Sequence, residues 1–195
     1  MRSLSVLIFV AACAHRGEPP SPDLNNSDIA IYRLVLDSMF VTAGANRTSQ
    51  LVLRDSTHVL NGGNLVRNLM VDFSRLPGID TSAVRDFATR GLESQTLKEL
   101  RRIGLRIPVV LIDRQVISSL PRQNPDQYWS QFYQRYPGSS GIIELYPIGY
   151  STNGDLAVTM VDQGCGSLCG NGYVVAFRRM AGSWRIVAIQ QTWIS

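Results

Sequence analysis

Apolar residues recur at helical spacing in the first half of the chain and predict two amphipathic helices. The first helix begins at a cap formed by Ser27 and Asp28 and ends near Ala43-Gly44. Its apolar side consists of Ile29, Tyr32, Leu36, Met39 and Phe40. The second helix begins at Asp80 or Thr81, and a shorter helical piece is predicted over residues 97–103.

A third predicted helix is rich in aromatic residues. It begins at Asn124, where an asparagine cap, a proline in the first turn and an acidic residue near the positive helix end coincide. Its aromatic residues are Tyr128, Trp129, Phe132, Tyr133 and Tyr136. Such a side can line a ligand groove or stack on sugars and bases, but packing against a sheet is the more common arrangement and the one we expect.

The last third of the chain shows the pattern of strands and turns. Four strand-like runs cover residues 142–151, 156–161, 173–179 and 184–194, and Asn153-Gly154 between the first two predicts a hairpin. Earlier in the chain, residues 50–57 alternate like a strand, and residues 107–112 form a short apolar run that predicts a buried strand. The sequence therefore predicts an α+β fold in which N-terminal helices cover one face of a C-terminal antiparallel β-meander. The meander has about four strands, with one or two more from the N-terminal half.

Composition supports one folded domain. The chain has 195 residues, of which 45% are hydrophobic and 17% are charged, so a disordered or strongly charged chain is excluded. The net charge of +4 is small, and the basic residues cluster in a single stretch, Lys98, Arg101, Arg102 and Arg106. We interpret this stretch as a solvated helix end, with contact to an anionic membrane surface as the alternative, and we predict no nucleic-acid partner.

The first residues have the order of an export signal. Arg2 precedes an apolar run and two small residues, and Val10-Ala11-Ala12-Cys13 resembles the lipobox of bacterial lipoproteins. The resemblance implies a signal peptide over residues 1–12 and a lipid (palmitate) anchor on Cys13. The stretch that follows is polar and rich in proline without apolar periodicity, which predicts a tether over residues 13–27 before the α+β domain over residues 28–195. The lipobox resemblance also implies a cell-envelope location. Because Ala14 is not the aspartate that favours the inner membrane, we expect the periplasmic face of the outer membrane. The alternative is a secretory signal cut after Ala14.

Two cysteines remain if Cys13 carries lipid. Cys165 and Cys169 lie close together, and in an oxidising compartment such a pair predicts a disulfide. A zinc site lacks further ligands, since His15 lies in the tether and His58 alone remains, and a thioredoxin-like couple would have two intervening residues rather than three. The glycines around the pair could form a phosphate cradle, but turn glycines are the interpretation we favour, because no helix start follows them.

The region around these cysteines carries a second resemblance. The segments Asp155-Leu156-Ala157-Val158, Cys165-Gly166-Ser167-Leu168-Cys169-Gly170, Gly182-Ser183-Trp184-Arg185-Ile186-Val187 and Trp193-Ile194-Ser195 resemble an uncharacterised family of small exported bacterial proteins with a Cys-x3-Cys loop. That family implies no activity.

Candidate catalytic residues are few. His58 with Asp55 stands at the end of the first strand, a position where functional groups collect, although an ordinary strand-end cluster is more common. Glu144, Asp155 and Asp162 offer carboxylates for sugar hydrolysis, but no spacing singles out two of them. We predict no cofactor and no metal site.

The sequence thus favours a non-catalytic, lipid-anchored envelope module that binds another molecule, for example an envelope protein. The alternatives are an exported hydrolase using His58 and Asp55, and a thiol redox protein using Cys165 and Cys169.

Overall fold

A computed structural model describes residues 23–42, 48–60, 73, 76–121 and 123–195. The predicted signal peptide, Cys13, residues 14–22 of the predicted tether and the predicted end of the first helix near Ala43-Gly44 lie outside the described residues.

Four α-helices form within these ranges. They are α1 (Asn26–Leu36), α2 (Thr81–Arg90), α3 (Arg114–Ser118) and α4 (Pro125–Arg135). A π-helical segment, Asp37–Thr42, continues α1, and a 3-10 helix spans Lys98–Arg102. None of the helices in the described ranges has the length and apolar character that crossing a membrane requires.

The helix starts follow local side-chain chemistry. Asn124 and Asp80 cap α4 and α2 as predicted. The Asn124 side chain accepts from the N–H groups of Asp126 and Gln127, and the Asp80 carboxylate accepts from the N–H of Ser82. The predicted cap of α1 is wrong by two residues. Asn25 caps this helix, and the Asp28 carboxylate accepts a return hydrogen bond from the Asn25 N–H, which completes a capping box.

The described strands form one seven-stranded sheet. They are β1 (Gln50–Arg54), β2 (Val109–Ile112), β3 (Ser139–Leu145), β4 (Gly149–Tyr150), β5 (Leu156–Gly166), β6 (Cys169–Met180) and β7 (Ser183–Ile194). The order is β2-β1-β3-β5-β6-β7, and β4 pairs with β5. The α+β class and the antiparallel C-terminal strands are confirmed, while β1 is parallel to both β2 and β3.

Helices cover both faces of this sheet, so the prediction that they cover one face is wrong. On the first face, α1 and the 3-10 helix pack on β1, β3, β5 and β6. On the second face, α2 packs on β5 and β6, while α3 and α4 pack on β1 and β3. Parallel strands need long crossover connections, and these connections supply the second layer of helices.

The position of a strand in the sheet decides its burial. Leu51, Val52 and Leu53 of β1 are all buried, because this strand has neighbours on both sides and helices on both faces. The strand predicted as buried, β2, lies at the edge of the sheet instead, and Ile112 is its buried residue. Pro108, directly before β2, suits an edge position.

A buried ion pair joins α1 to α2. The carboxylate of Asp28 is 1% exposed and lies 3.0 Å from Arg90 Nη2. It also accepts a hydrogen bond of 2.8 Å from the Tyr150 hydroxyl, and Arg90 donates to the carbonyl oxygen of Ile148. Several donors therefore compensate a charge that burial alone would destabilise.

The cysteine loop is a tight β-hairpin. Cys165 and Cys169 form the predicted disulfide between the ends of β5 and β6, with Ser167 and Leu168 at the turn. The Tyr133 hydroxyl on α4 donates to the Cys165 carbonyl oxygen at 2.8 Å. The aromatic side of α4 packs against the sheet as expected, with Phe132 fully buried.

Candidate functional site

Two adjoining hollows open on the second face of the sheet, between the helices that cover it. One has a volume of about 260 Å³ and is lined partly by Trp129, Asp162 and Trp193. The other has a volume of about 400 Å³ and is lined partly by His58 and Ser94. Arg54 and Glu144 belong to both linings. We call the two hollows together the central groove, a feature large enough for a small-molecule ligand.

A row of polar and aromatic side chains runs across the sheet beneath the central groove. Glu144 on β3 lies directly opposite Asp162 on β5, and Asp162 lies opposite Gly172 on β6, which lies opposite Trp193 on β7. Arg54, at the end of β1, reaches Glu144 from the other side. The register of five strands therefore assembles the row.

Two donors hold the Glu144 carboxylate. Arg54 Nε and Nη2 each lie 3.0 Å from Oε1, and His58 Nδ1 lies 3.1 Å from Oε2. Burial raises the pKa of Glu144, but the hydrogen bond from His58 and the charge of Arg54 outweigh burial, and the pKa falls below its ordinary value. Glu144 is therefore ionised at neutral pH, and the Nδ1 of His58 donates to it.

The Asp162 carboxylate is held by neutral donors. The Tyr146 hydroxyl donates to Oδ2 at 2.9 Å, and Trp193 Nε1 donates to Oδ1 at 3.1 Å. Asp162 forms no salt bridge with any residue in the described ranges. Burial, with a contribution from the nearby Glu144, raises the pKa of Asp162, so the environments of the two carboxyl groups move their pKa values in opposite directions.

His58 and Tyr146 connect the two carboxylates. Their rings stack with centroids 4.7 Å apart. The Nδ1 of His58 donates to Glu144, and the hydroxyl of Tyr146 donates to Asp162. Burial and the neighbouring Asp162 raise the pKa of Tyr146, which keeps its hydroxyl protonated and able to donate. The side chains of the row are thus fixed by one another before any ligand binds.

Three glycines lie against the tryptophans of the central groove. A Cβ on Gly172 would overlap the Trp193 indole and lie 2.5 Å from Asp162 Oδ1, and a Cβ on Gly170 would lie 2.9 Å from the same indole. Trp129 lies over Gly164, where a Cβ would be 3.5 Å from its ring. The prediction of turn glycines is wrong for these three residues, because they lie in β5 and β6. At Gly170 and Gly172 the Trp193 indole leaves no space for a side chain, whereas a methyl group at Gly164 would make ordinary contact with Trp129.

The predicted catalytic pair does not form as expected. Asp55 and His58 both line the central groove, but the Asp55 carboxylate accepts from the Ser56 hydroxyl at 3.2 Å, and the carboxylate that contacts His58 belongs to Glu144. Of the three acidic candidates, Glu144 and Asp162 come together, whereas Asp155 lies in the β4–β5 turn beside Ser151. The sequence pattern that marks Glu144 and Asp162 is an acidic residue in or directly after an otherwise apolar strand run.

The chemistry available to the other predicted elements is limited. Within the described ranges, no three His, Cys, Asp or Glu residues converge closely enough to hold a metal ion. Neither cysteine of the disulfide begins a helix, in contrast to the thioredoxin-like arrangement. Arg101, Arg102 and Arg106 are exposed, and exposed Lys98 pairs with Asp23.

Comparisons with known proteins, by family model, by curated sequence and by solved structure, find no significant match to this chain. The resemblances noted at residues 10–13 and 155–195 therefore stay predictions.

Proposed function

We propose that this protein is a lipid-anchored module of the bacterial cell envelope that binds a small polar molecule in the central groove without transforming it. Three observations support a location in the cell envelope. The first residues have the order of an export signal, residues 10–13 resemble a lipobox ending at Cys13, and the Cys165–Cys169 disulfide is typical of an oxidising compartment. An anchor on Cys13 would display the folded domain beside the membrane.

The binding proposal rests on one observation: the side chains of the row, Arg54, Glu144, Asp162 and Trp193, hold one another in position by hydrogen bonds. Every carboxylate oxygen in this row has a protein donor, so the polar groups are held in position inside a concave, partly aromatic groove. Binding sites combine apolar walls with a few fixed polar groups in this way. The size of the two hollows favours a small molecule as the ligand over an envelope protein.

Equilibrium dialysis against a small-molecule extract of bacterial cells tests the binding proposal, with mass spectrometry as the readout. We expect the full chain to enrich at least one compound without converting it. The Trp129→Leu variant should lose this enrichment, while Trp184→Leu, which removes an indole on the first face, should retain it. Equal enrichment by all three proteins, or none by any, would contradict the proposal.

A separate experiment tests the lipid anchor on Cys13. The intact mass of the mature protein should correspond to a chain that begins at Cys13 and carries acyl groups. A non-acylated chain that begins at His15 would contradict the anchor.

A hydrolase is the second candidate, because the central groove places His58 against Glu144 with Ser56 and Ser94 in the same hollow. A histidine oriented by a carboxylate can act as a general base. In the dialysis experiment, a hydrolase would deplete a compound and release a product, and His58→Gln would stop this depletion. Enrichment without conversion supports the binding module instead.

A further inference from the structure

The hollow between α4 and β7 has aromatic walls. Trp129 rests over Gly164, and Trp193 lies across Gly170 and Gly172, on neighbouring strands. Tyr128 stands beside Trp129 on α4, with ring centroids 5.2 Å apart. The volume of about 260 Å³ suits a compact chemical group rather than an extended polymer.

The polar groups at this hollow are dominated by hydrogen-bond acceptors. Glu144 and Asp162 present carboxylates to the hollow, while three donor groups that line it are engaged by protein acceptors. Arg54 donates to Glu144, Gln163 donates to the Ser140 carbonyl oxygen, and Trp193 donates to Asp162. A neutral polyol needs donors as well as acceptors, and an anion would meet two carboxylates. A cation would meet acceptors together with the negative faces of aromatic rings.

The charged groups at the hollow also favour a cationic ligand. The guanidinium groups nearby are those of Arg54, which is bonded to Glu144, and of Arg114, which lines the other hollow. Among the described residues, none forms a salt bridge with Asp162, although burial makes an uncompensated charge there costly. A cationic group in the hollow would compensate this charge.

We infer that the central groove binds the ammonium group of a cationic ligand against Trp129, Trp193 and Asp162. This inference rests on the proposed function, because it names the chemical class that the groove takes. A quaternary ammonium suits the site best, because it has no N–H groups to satisfy and aromatic faces attract it electrostatically.

Isothermal titration of the full chain, in a non-ionic detergent, tests the inference with two probes of equal shape. Choline carries the charge, and its carbon isostere has a tert-butyl group in place of the trimethylammonium. We expect choline to bind at least about tenfold more tightly than the isostere, the difference expected from a charge pair with a ring contact. Asp162→Asn should remove this preference, and Asp37→Asn, the same change on the first face of the sheet, should leave it intact.

The possible outcomes separate the inference from the proposed function. Equal affinity for choline and its isostere would overturn the inference but leave a binding groove. Choline binding that survives Asp162→Asn would overturn the assigned position of the charge. Absence of binding by both probes would overturn the inference, and enrichment of a neutral compound in the dialysis experiment would then show that the binding module itself stands.

Discussion

Gly172→Ala is the sharpest perturbation of the central groove that the structure offers. The added methyl group would overlap the Trp193 indole and come within 2.5 Å of Asp162 Oδ1. The indole is 40% exposed and lies near the end of the edge strand, so it is the group that can move. Its displacement breaks the hydrogen bond from Trp193 Nε1 to the Asp162 carboxylate.

The magnitude follows from the lost contacts. A hydrogen bond to a charged group contributes about 1.5–3 kcal/mol, and overpacking costs about 1–3 kcal/mol. Because the indole is partly solvated and can swing outward, we expect a loss of about 2 kcal/mol in the free energy of unfolding. For a domain of this size, that corresponds to a fall of about 4–8 °C in Tm.

Urea unfolding monitored by far-UV circular dichroism measures this loss independently of tryptophan fluorescence. Tryptophan emission of the folded variant should shift to the red, since the Trp193 indole moves into water. Gly164→Ala is the matched control on the same face, because its methyl group would only touch Trp129 at 3.5 Å. It should change the free energy of unfolding by less than about 0.5 kcal/mol. Equal stability of the two variants, or an unshifted emission spectrum for Gly172→Ala, would refute the steric argument.

Three further predictions concern charge and covalent structure. Arg90→Met leaves the Asp28 carboxylate buried without its cation and should lower the free energy of unfolding by about 3 kcal/mol, the low end for a broken buried pair because Arg90 is 21% exposed. Adding Asp28→Asn should recover part of this loss in the same urea assay, and strict additivity would contradict the pairing. Replacing Cys165 and Cys169 by serine should cost at most about 2 kcal/mol, because the closed loop is short, and loss of cooperative unfolding would show a larger role. The raised pKa of Asp162 means that its stabilising contribution is complete below the ordinary carboxyl pKa of about 4 and is lost as pH rises through the raised value. Unfolding free energies measured against pH should therefore fall more steeply in this window for the native chain than for Asp162→Asn, and parallel curves would contradict the shift.

The sequence predicted helix starts and turns well where a few neighbouring residues determine them. The start of α4 at Asn124 follows from three adjacent residues, and the hairpin between β4 and β5 follows from the Asn153-Gly154 dipeptide, which lies in a turn over residues 152–155. The cap of α1 was misplaced because Asn25, Ser27 and Asp28 all suit the position, and the choice among them depends on which one reaches the free N–H groups.

The sequence predicted only some residues of the central groove, and it did not predict them as a group. Arg54, Tyr146 and Trp193, which hold the two carboxylates, were not among the candidates. His58 and Asp55 are neighbours in the sequence and were paired for that reason, whereas the bonded partner of His58 is 86 residues away, at Glu144. No spacing along the chain connects Glu144 with Asp162, or Asp162 with Trp193. Strand register makes these connections, and register is a property of the assembled sheet.

By itself, the sequence determined the fold class, the starts of α2 and α4 and the pairing of Cys165 with Cys169, because hydrophobic period, capping and turn chemistry act over a few residues. Only the tertiary structure decided which polar side chains meet, and that helices cover both faces of the sheet. The physical reason is strand pairing. Because β1 pairs in parallel with β3, Arg54 lies beside Glu144, and because β7 pairs antiparallel with β6, Trp193 lies opposite Gly172 and reaches Asp162.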